Sequence, residues 1–209
     1  MATLVLEPSN QLASLFATIR SVATARHDFV SDADRIMLQV VQRALDLLPY
    51  VDRTVSTPCG LPYTGLAPLA LVCGVSIMRA GEAMEPALRK CLSCPIGKIL
   101  IQRDHDANAK LMYHKLPLDI AQRFVFLMDP MLATGGTAIK GISVLLDHGV
   151  APDRIVLVTV LACPEGIQRV HNDHPLVRIV TGHIDPRLDA NSYIVPGLGD
   201  FGCRYFGTD

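Results

Sequence analysis

The chain contains no tryptophan, only 5% aromatic residues and no excess of charge of either sign. Its 19 lysine and arginine residues balance 20 aspartate and glutamate residues, so that the 209-residue chain has a formal charge of −1. A basic face is the electrostatic footprint of nucleic-acid binding, and a run of like charges is typical of an interaction tail. Since the sequence has neither feature, we predict no nucleic-acid partner.

Long apolar runs are missing as well. The longest one, residues 66–78, is interrupted by Pro68, Gly74 and Ser76 and is too short to span a bilayer. Residues 1–30 carry scattered charges and lack the apolar core of a signal peptide. We therefore expect a soluble, cytoplasmic protein without a membrane partner.

Cysteine and histidine do not combine into a metal motif. Cys91 and Cys94 form a lone C-x-x-C pair, without the second pair or the paired histidines of a zinc motif. Free thiols in a reducing compartment are the favoured interpretation. His171 and His174 are three residues apart but have no third ligand near them in the sequence, which favours a solvated helix end. We predict no metal held by protein ligands alone.

From residue 69 onward, apolar runs alternate with segments of helical spacing. The predicted strands are 69–77, 97–104, 123–129, 154–162 and 177–185, and the predicted helices are 82–92, 137–148 and 165–173. Strands that are apolar at every position and alternate with helices indicate an α/β fold, a parallel sheet flanked by helices. Such sheets bind ligands beyond the carboxyl ends of their strands.

The N-terminal third is predicted to be a packing region without chemistry. Residues 9–27 have the spacing of an amphipathic helix, and a second helix is predicted to start at a capping box of Ser31 and Asp34. Residues 51–57 are predicted to form a short edge strand before a turn-rich segment. A chain of this length is long for one domain and short for two, so we predict a single domain over residues 1–209.

The segment FLMDPMLATGGTAIKGI, residues 126–142, places an acid and a glycine-containing loop at the carboxyl end of a strand. The acid is Asp129, and the loop residues are Ala133, Thr134, Gly135, Gly136 and Thr137. Such a loop can turn several N–H groups toward one phosphate, and the start of the following helix favours an anion. No Walker motif fits it. By itself the loop is equally compatible with a tight connection, but an acid beside it suits a ribose phosphate.

Four stretches, the first of which contains the loop just described, carry a resemblance to a known family. VFLMDPMLATGGT (125–137) resembles the phosphoribosyl-pyrophosphate (PRPP) loop of type I phosphoribosyltransferases, in the form with proline after the acid that is typical of uracil phosphoribosyltransferases. VSIMRAGEAME (75–85) resembles the pyrophosphate loop of that family, and KILIQRD (98–104) is similar to another of its strands. YIVPGLGDFGCRYFGTD (193–209) resembles its uracil-binding segment. The motifs occur in the family's order.

The resemblance implies that the ribose phosphate of PRPP is transferred to N1 of uracil, giving UMP and pyrophosphate in pyrimidine salvage. It implies the type I phosphoribosyltransferase fold, with a helical packing region (1–60), an α/β core (69–185) and a uracil-binding segment (186–209). Magnesium is expected, bound mainly through PRPP. A homodimer or homotetramer and GTP as an effector are also expected, and residues 105–115 are interpreted as a mobile hood.

The resemblance also assigns residues to roles. Catalysis is assigned to Asp200, Asp129 and Arg79. PRPP is assigned to Arg79, Ala80, Gly81, Arg103, Asp129, Ala133, Thr134, Gly135, Gly136 and Thr137. Uracil is assigned to Tyr193, Ile194, Gly199, Asp200 and Phe201, with the backbone recognising the base. For Arg103, an ion pair with Asp104 or Asp106 is the alternative. Cys203 departs from the family pattern, in which a second Asp is common.

Two other functions compete with this interpretation. A PRPP-sensing regulator that binds RNA would need an arginine-rich face, which the sequence lacks. A hypoxanthine or orotate transferase usually has a second acid where this chain has Pro130. The glycines at 197, 199 and 202 spell the dinucleotide motif G-x-G-x-x-G, but too little chain follows for the helix and strand that this motif requires.

Overall fold

The secondary structure follows the predicted alternation through the second half of the chain. The computed structural model describes residues 3–103 and 109–208, except for the side chain of Arg103. In chain order the strands are β1 (Thr3–Val5), β2 (Tyr50–Ser56), β3 (Pro62–Pro68), β4 (Val72–Met78), β5 (Ile96–Arg103), β6 (Ala109–Lys115), β7 (Phe124–Met128), β8 (Met131–Leu132), β9 (Ile155–Ala162), β10 (Arg178–Ile184), β11 (Arg187–Leu188) and β12 (Ile194–Val195). The helices are α1 (Asn10–Arg20), α2 (Arg26–Leu45), α3 (Glu85–Cys91), α4 (Gly136–Asp147), α5 (Pro164–Asp173) and α6 (Phe201–Phe206).

The central sheet confirms the predicted parallel architecture. Its strands lie in the order β1, β10, β9, β7, β4, β5 and β6, and β8 pairs with β9. Neighbouring strands are parallel, except that β6 runs antiparallel to β5. The chain passes from β4 to β5 on one side and then to β7 on the other side of β4. The order of the strands therefore reverses between β4 and β7, which is where such sheets bind ligands.

Helices cover both faces of the sheet. In β9, Val156 and Val158 belong to the buried cluster that includes α1, α2 and α3. Ile155 and Leu157 belong to the second cluster, which includes α4 and α5. Successive residues of a strand point to opposite faces, so a strand that is covered on both sides is apolar at every position. This is why the inner strands of the sheet could be predicted from continuous apolar runs.

The predicted boundaries of the N-terminal helices are wrong. The helix predicted over 9–27 ends at Arg20, and the next helix, α2, already begins at Arg26. Ser31 lies inside α2, whereas a capping residue needs an extended backbone, so the capping-box interpretation fails. Ala25 has that extended backbone at the start of α2, although its side chain makes no capping hydrogen bond.

The packing region over residues 1–60 is not only helical. Its first strand, β1, pairs in parallel with β10 and extends the central sheet. The predicted edge strand is β2, and the segment interpreted as turn-rich contains β3, its antiparallel partner. Proline and glycine in β3 gave the turn signal. The main-sheet strand predicted to start at residue 69 starts at Val72.

The segment predicted as a mobile hood, 105–115, is described from Ala109 onward. There it forms β6, an antiparallel edge strand whose register shifts opposite Leu100 and Ile101 of β5. Residues 104–108 lie outside the described residues, so the hood and the alternative ion pairs of Arg103 with Asp104 or Asp106 stay predictions.

Candidate active site

The two strands between which the strand order reverses, β4 and β7, are each followed by a predicted charged residue. Arg79 follows β4 and Asp129 follows β7, and these strands are direct neighbours. The Arg79 side chain is exposed, and its Nη1 atom donates a hydrogen bond to Oγ1 of Thr208 at 3.0 Å. The C-terminal segment therefore reaches the end of β4. Sequence reasoning did not predict this role of Thr208.

Gly81 sets the distance between the predicted pyrophosphate loop and Asp129. A Cβ atom at position 81 would lie 2.2 Å from the carbonyl oxygen of Met128, which no real side chain could tolerate. The backbone after Arg79 therefore packs directly on the residue that precedes Asp129. Ala80, the other residue of the predicted loop, is half-buried.

A charged cluster anchors the short helix that follows Arg79. Lys98 of β5 donates to Oε1 of Glu82, and its Nζ atom lies 3.0 Å from Oε1 of Glu85. The buried hydroxyl of Ser76 also donates to Oε1 of Glu85, at 2.7 Å. The hydrogen bond to Glu82 raises the pKa of Lys98 above its usual value. The cluster fixes Ala80–Met84 against β4 and β5.

The loop after Asp129 turns at Gly135. This residue has φ +80 and precedes α4, which starts at Gly136, one residue before the predicted 137–148 helix. The N-cap residue Gly135 has no side chain with which to cap this helix start, and the first N–H groups of a helix have no partner within it. Thr134 and Thr137 lie at the same turn, beside Asp129. This geometry suits an anion, as the sequence suggested.

Helix α5 supports this loop from behind. The thiol of Cys163 donates to the carbonyl oxygen of Ala133 at 3.0 Å, and burial raises the pKa of this thiol. A Cβ atom at Gly166 would lie 2.3 Å from the same oxygen. Arg169 donates from Nη1 to the carbonyl oxygen of Thr134 at 3.3 Å. Sequence reasoning missed these contacts, because they join the ends of β9 and α5 to a loop about thirty residues away.

One cavity of about 330 Å³ brings the three predicted motifs together. Ala80 contributes from the pyrophosphate loop and Ala133 from the loop after Asp129. The C-terminal segment contributes residues 191–194 and 199–202. The predicted residues on its lining are Ala80, Ala133, Tyr193, Ile194, Gly199, Asp200 and Phe201.

The C-terminal segment contains strand β12 and ends in the short helix α6. Asp200 is the capping residue of α6, and its Oδ1 atom accepts a hydrogen bond from the Cys203 N–H at 2.7 Å. The Phe201 side chain is 2% exposed and packs against Phe29 and Tyr205, with ring centroids 5.6 Å away in both cases. The Phe201 ring is therefore engaged in the aromatic packing of the core beside the cavity.

A polar turn forms another part of the cavity wall. Oδ1 of Asp189 accepts hydrogen bonds from the N–H groups of Asn191 at 2.9 Å and of Tyr193 at 2.8 Å. Ser192 has a positive φ of 65, and the Tyr193 side chain is 51% exposed. Asn191, Ser192 and Met131 line the cavity but were not predicted. The polar run Asp-Ala-Asn-Ser before Tyr193 was an available turn signal.

The histidine prediction fails in one respect. His171 is buried, not solvated, and its Nε2 atom lies 2.9 Å from Oγ1 of Thr3 in β1. Burial lowers its pKa. Within residues 3–103 and 109–208, no group of three or more His, Cys, Asp or Glu side chains is placed to hold a metal ion. Cys91 and Cys94 are free thiols.

Two further predictions concern Arg103 and membrane-spanning segments. The Arg103 side chain lies outside what the structure describes, although its backbone ends β5, beside β4. In the described part of the chain, no helix is both long enough and apolar enough to cross a membrane.

Comparison with known proteins gives a consistent result. A family model described as uracil phosphoribosyltransferase matches residues 5–208. The uracil phosphoribosyltransferase of Dictyostelium discoideum is 49% identical over 207 residues, covering 98% of this chain and 96% of that protein. The solved structure of the AQ2163 protein from Aquifex aeolicus is 27% identical, with a TM-score of 0.86 over 99% of both chains. An adenine phosphoribosyl transferase from Trypanosoma brucei, 12% identical, shares the fold with a TM-score of 0.53 over 87% of this chain and 82% of its own.

Proposed function

The chain belongs to the uracil phosphoribosyltransferase family, and we propose that the cavity between its three loops is where it makes UMP. The reaction transfers the ribose phosphate of PRPP to N1 of uracil and releases pyrophosphate. The assignment to this cavity depends on one observation: the pyrophosphate loop, the loop after Asp129 and the C-terminal segment all line it.

In the proposed PRPP site, groups at the ends of two neighbouring strands stabilise the two opposite charges that develop during the reaction. As the bond at the anomeric carbon breaks, positive charge develops on the ribose and negative charge on the leaving pyrophosphate. Arg79 is exposed at the end of β4, where it can exchange its hydrogen bond to Thr208 for one to pyrophosphate. The N–H groups of Ala80 and Gly81 and the side chain of Arg103 complete this proposed subsite.

Asp129 and the loop behind it are proposed to hold the ribose 5-phosphate. The carboxylate would accept hydrogen bonds from the ribose hydroxyls. The phosphate would bind at the start of α4, where Thr134, Gly135, Gly136 and Thr137 provide N–H and hydroxyl donors. The positive φ of Gly135 supports this assignment, because it turns the chain so that successive N–H groups can converge.

Uracil is proposed to bind against residues 194–201. Its edge presents an acceptor, a donor and an acceptor, which backbone groups of Ile194, Gly199 and Phe201 can match. The packing of the Phe201 ring against Phe29 and Tyr205 supports this proposal, because it engages the ring in the core and makes the backbone the part of this residue proposed to meet the base. Asp200 already caps α6, so we propose that it orients this backbone as well as assisting catalysis. Tyr193 is exposed at the mouth of the cavity and is proposed to contact the ribose.

Magnesium fits this site as an ion carried by the substrate. The ion often keeps several waters and binds through one or two carboxylates together with substrate phosphates. Asp129 is the carboxylate beside the proposed ribose site, while Asp200 uses one oxygen for the cap of α6. When bound, magnesium would neutralise charge on the pyrophosphate. Arg79 and the start of α4 provide the protein's own positive potential for the two phosphate ends.

A homodimer or homotetramer is also part of the proposal. The β2–β3 hairpin stands apart from the central sheet and exposes Val51, Val55, Leu61, Tyr63 and Leu66. Exposed apolar patches of this kind mark protein contacts. A Leu66→Glu variant should therefore sediment as a smaller species than the unaltered chain, and equal masses would place the contact elsewhere. GTP as an effector and a cytoplasmic location are proposed from the family resemblance and the sequence alone.

One assay tests the proposed function. PRPP consumption and nucleotide formation are measured with magnesium and, in turn, uracil, cytosine, hypoxanthine and orotate. We expect UMP from uracil and negligible turnover with the other bases. PRPP binding without turnover on any base would favour a PRPP-sensing regulator, and a preference for hypoxanthine or orotate would contradict the assignment of residues 194–201 to uracil.

A further inference from the structure

An ion pair between a buried carboxylate and a partly buried guanidinium lies directly behind the proposed base-binding segment. Asp185, which follows β10, is 1% exposed. Arg20, the last residue of α1, binds it through two parallel hydrogen bonds: Nη1 donates to Oδ2 and Nη2 donates to Oδ1, both at 2.7 Å. The two residues are 165 positions apart in the chain. The pair therefore connects the N-terminal helix to the carboxyl end of the sheet.

The same pair holds both backbone groups of Gly197. The Gly197 N–H donates to Oδ2 of Asp185, and its carbonyl oxygen accepts from Nη1 of Arg20, each at 2.8 Å. Gly197 has φ +64, and a Cβ atom there would lie 2.0 Å from the carbonyl oxygen of Ile194. Because Gly197 packs this closely, its position determines that of Ile194, one of the proposed base-binding residues.

A second arginine holds the next residue. Nη1 of Arg204 donates to the carbonyl oxygens of Leu198 and Ile19, both at 2.6 Å, and Nη2 donates to that of Ser21 at 2.8 Å. Residues 197 and 198 are thus attached to the end of α1 by two guanidinium groups. Gly199, which comes next, lines the substrate cavity.

The energetics favour a positioning role over a purely stabilising one. Removing two charges from water costs free energy, and apolar replacements of buried ion pairs are often neutral or stabilising. A glycine-rich backbone has few other means of being fixed, because glycine has the greatest conformational freedom of all residues. Here the ion pair supplies a donor and an acceptor to one glycine beside the base site. Neither charged side chain lines the cavity, so both act through Gly197.

We propose that Arg20 and Asp185 are positioning residues for uracil. They hold the backbone of residues 194–199 in the geometry that accepts the base, and they thereby set the affinity for uracil and the discrimination against cytosine. The inference rests on the proposed function, since it concerns the base site of that reaction. It also assigns a functional residue to α1, in the region that the sequence suggested was packing alone.

The test compares three variants, Arg20→Ala, Arg20→Lys and Asp185→Asn, with the unaltered chain. We expect KM for uracil to rise by about 10-fold or more, because misplacing a binding group by roughly 1 Å can cost about 100-fold. KM for PRPP should change by less than about twofold, since the side-chain hydrogen bonds described for this pair join it to itself and to Gly197 and not to the PRPP loops. Arg43→Ala is the matched control, because Arg43 pairs with Asp46 at 3.1 Å on an exposed part of α2; neither constant should change.

Chemical rescue separates positioning from folding. Methylguanidinium added to Arg20→Ala should lower KM for uracil toward the wild-type value and leave KM for PRPP unchanged. Equal losses for both substrates, no change in KM for uracil, or variants that all fail to fold would overturn the positioning role. Failure of the unaltered chain to use uracil would instead contradict the proposed function, so the two failures are distinguishable.

Discussion

Ala80 and Gly202 are neighbours across the proposed substrate cavity: a Cβ atom at Gly202 would lie 3.8 Å from Cβ of Ala80. Ala80 belongs to the proposed pyrophosphate loop and Gly202 to the proposed uracil segment. In the transfer reaction, the base attacks the carbon that the pyrophosphate leaves. Loops that touch each other can hold the entering and leaving groups at one carbon, which is the geometric condition for efficient transfer.

The first prediction concerns Asp129. Replacing it in an Asp129→Asn variant removes the negative charge beside the ribose while leaving the shape nearly unchanged. A polar contact that strengthens in the transition state is worth about 3 kcal/mol, so we expect kcat to fall roughly 100- to 1000-fold. Thermal unfolding should change little, because the side chain is at a strand end and half-buried. Unchanged turnover would move the ribose site away from β7.

The second prediction distinguishes two adjacent glycines. Gly135 has φ +80, and a Cβ atom there would lie 3.1 Å from the carbonyl oxygen of Gly166. Gly136 begins α4, and a Cβ atom there would meet its nearest neighbours, Nη1 of Arg169 and Oγ1 of Thr134, at 3.7 and 3.9 Å. Gly135→Ala should therefore cost about 1–2 kcal/mol in local strain and weaken PRPP binding strongly.

Gly136→Ala is the matched control, because it adds the same methyl group where the backbone tolerates one. We expect its melting temperature to stay close to that of the unaltered chain. Titration calorimetry with PRPP measures both variants. Unaltered PRPP affinity in Gly135→Ala would show that the turn at Gly135 does not shape the phosphate site.

Local patterns in the sequence predicted where two residues of the proposed site lie in the sheet. Apolar runs located β4 and β7, and the rule for parallel sheets then identified Arg79 and Asp129 at their ends. The same rule applied to β10 points to Asp185, which follows that strand. The pairing of Asp185 with Arg20 could not be predicted, since no local pattern relates residues 165 positions apart.

The errors in the N-terminal region also have physical causes. Ser31 was interpreted as a cap from its residue type, but in α2 the tertiary packing of Phe29 against Phe201 favours an earlier start of the helix. The strand β3 was interpreted as a turn, because Pro and Gly are frequent in turns. An exposed hairpin strand has no buried face that would produce an apolar alternation.

The third prediction is a pH dependence of stability. Burial lowers the pKa of His171 in the folded protein below the value of 6.5 for the free side chain. The unfolded chain therefore takes up a proton first as the pH falls through 6.5, and the free energy of unfolding decreases. Urea unfolding at about pH 7.5 and at about pH 5.5 measures this loss, because these two pH values lie on either side of the unperturbed pKa of histidine.

A His171→Leu variant cannot take up this proton, so its stability should decrease less between the two pH values. His27→Leu is the control, because the His27 side chain is 92% exposed, and it should retain the pH dependence of the unaltered chain. The same dependence in His171→Leu as in the unaltered chain would show that other groups cause the loss.

The last prediction is that uracil is recognised by backbone groups. Removing the Phe201 ring should therefore lower the stability of the fold and the affinity for uracil without changing the specificity for uracil over cytosine. The ring is 2% exposed and packs in the core, and a Phe→Ala change in a core costs about 3–5 kcal/mol. Cytosine reverses two of the three hydrogen-bonding positions, which opposes like groups and can discriminate by about 10⁴-fold or more. Phe201→Ala should therefore melt earlier and bind uracil less tightly, while kcat/KM for cytosine stays negligible. Phe206→Ala, on the same helix but away from the cavity lining, should leave kcat/KM for uracil unchanged. If Phe201→Ala used uracil and cytosine equally well, the Phe201 ring itself would have to be what distinguishes the two bases.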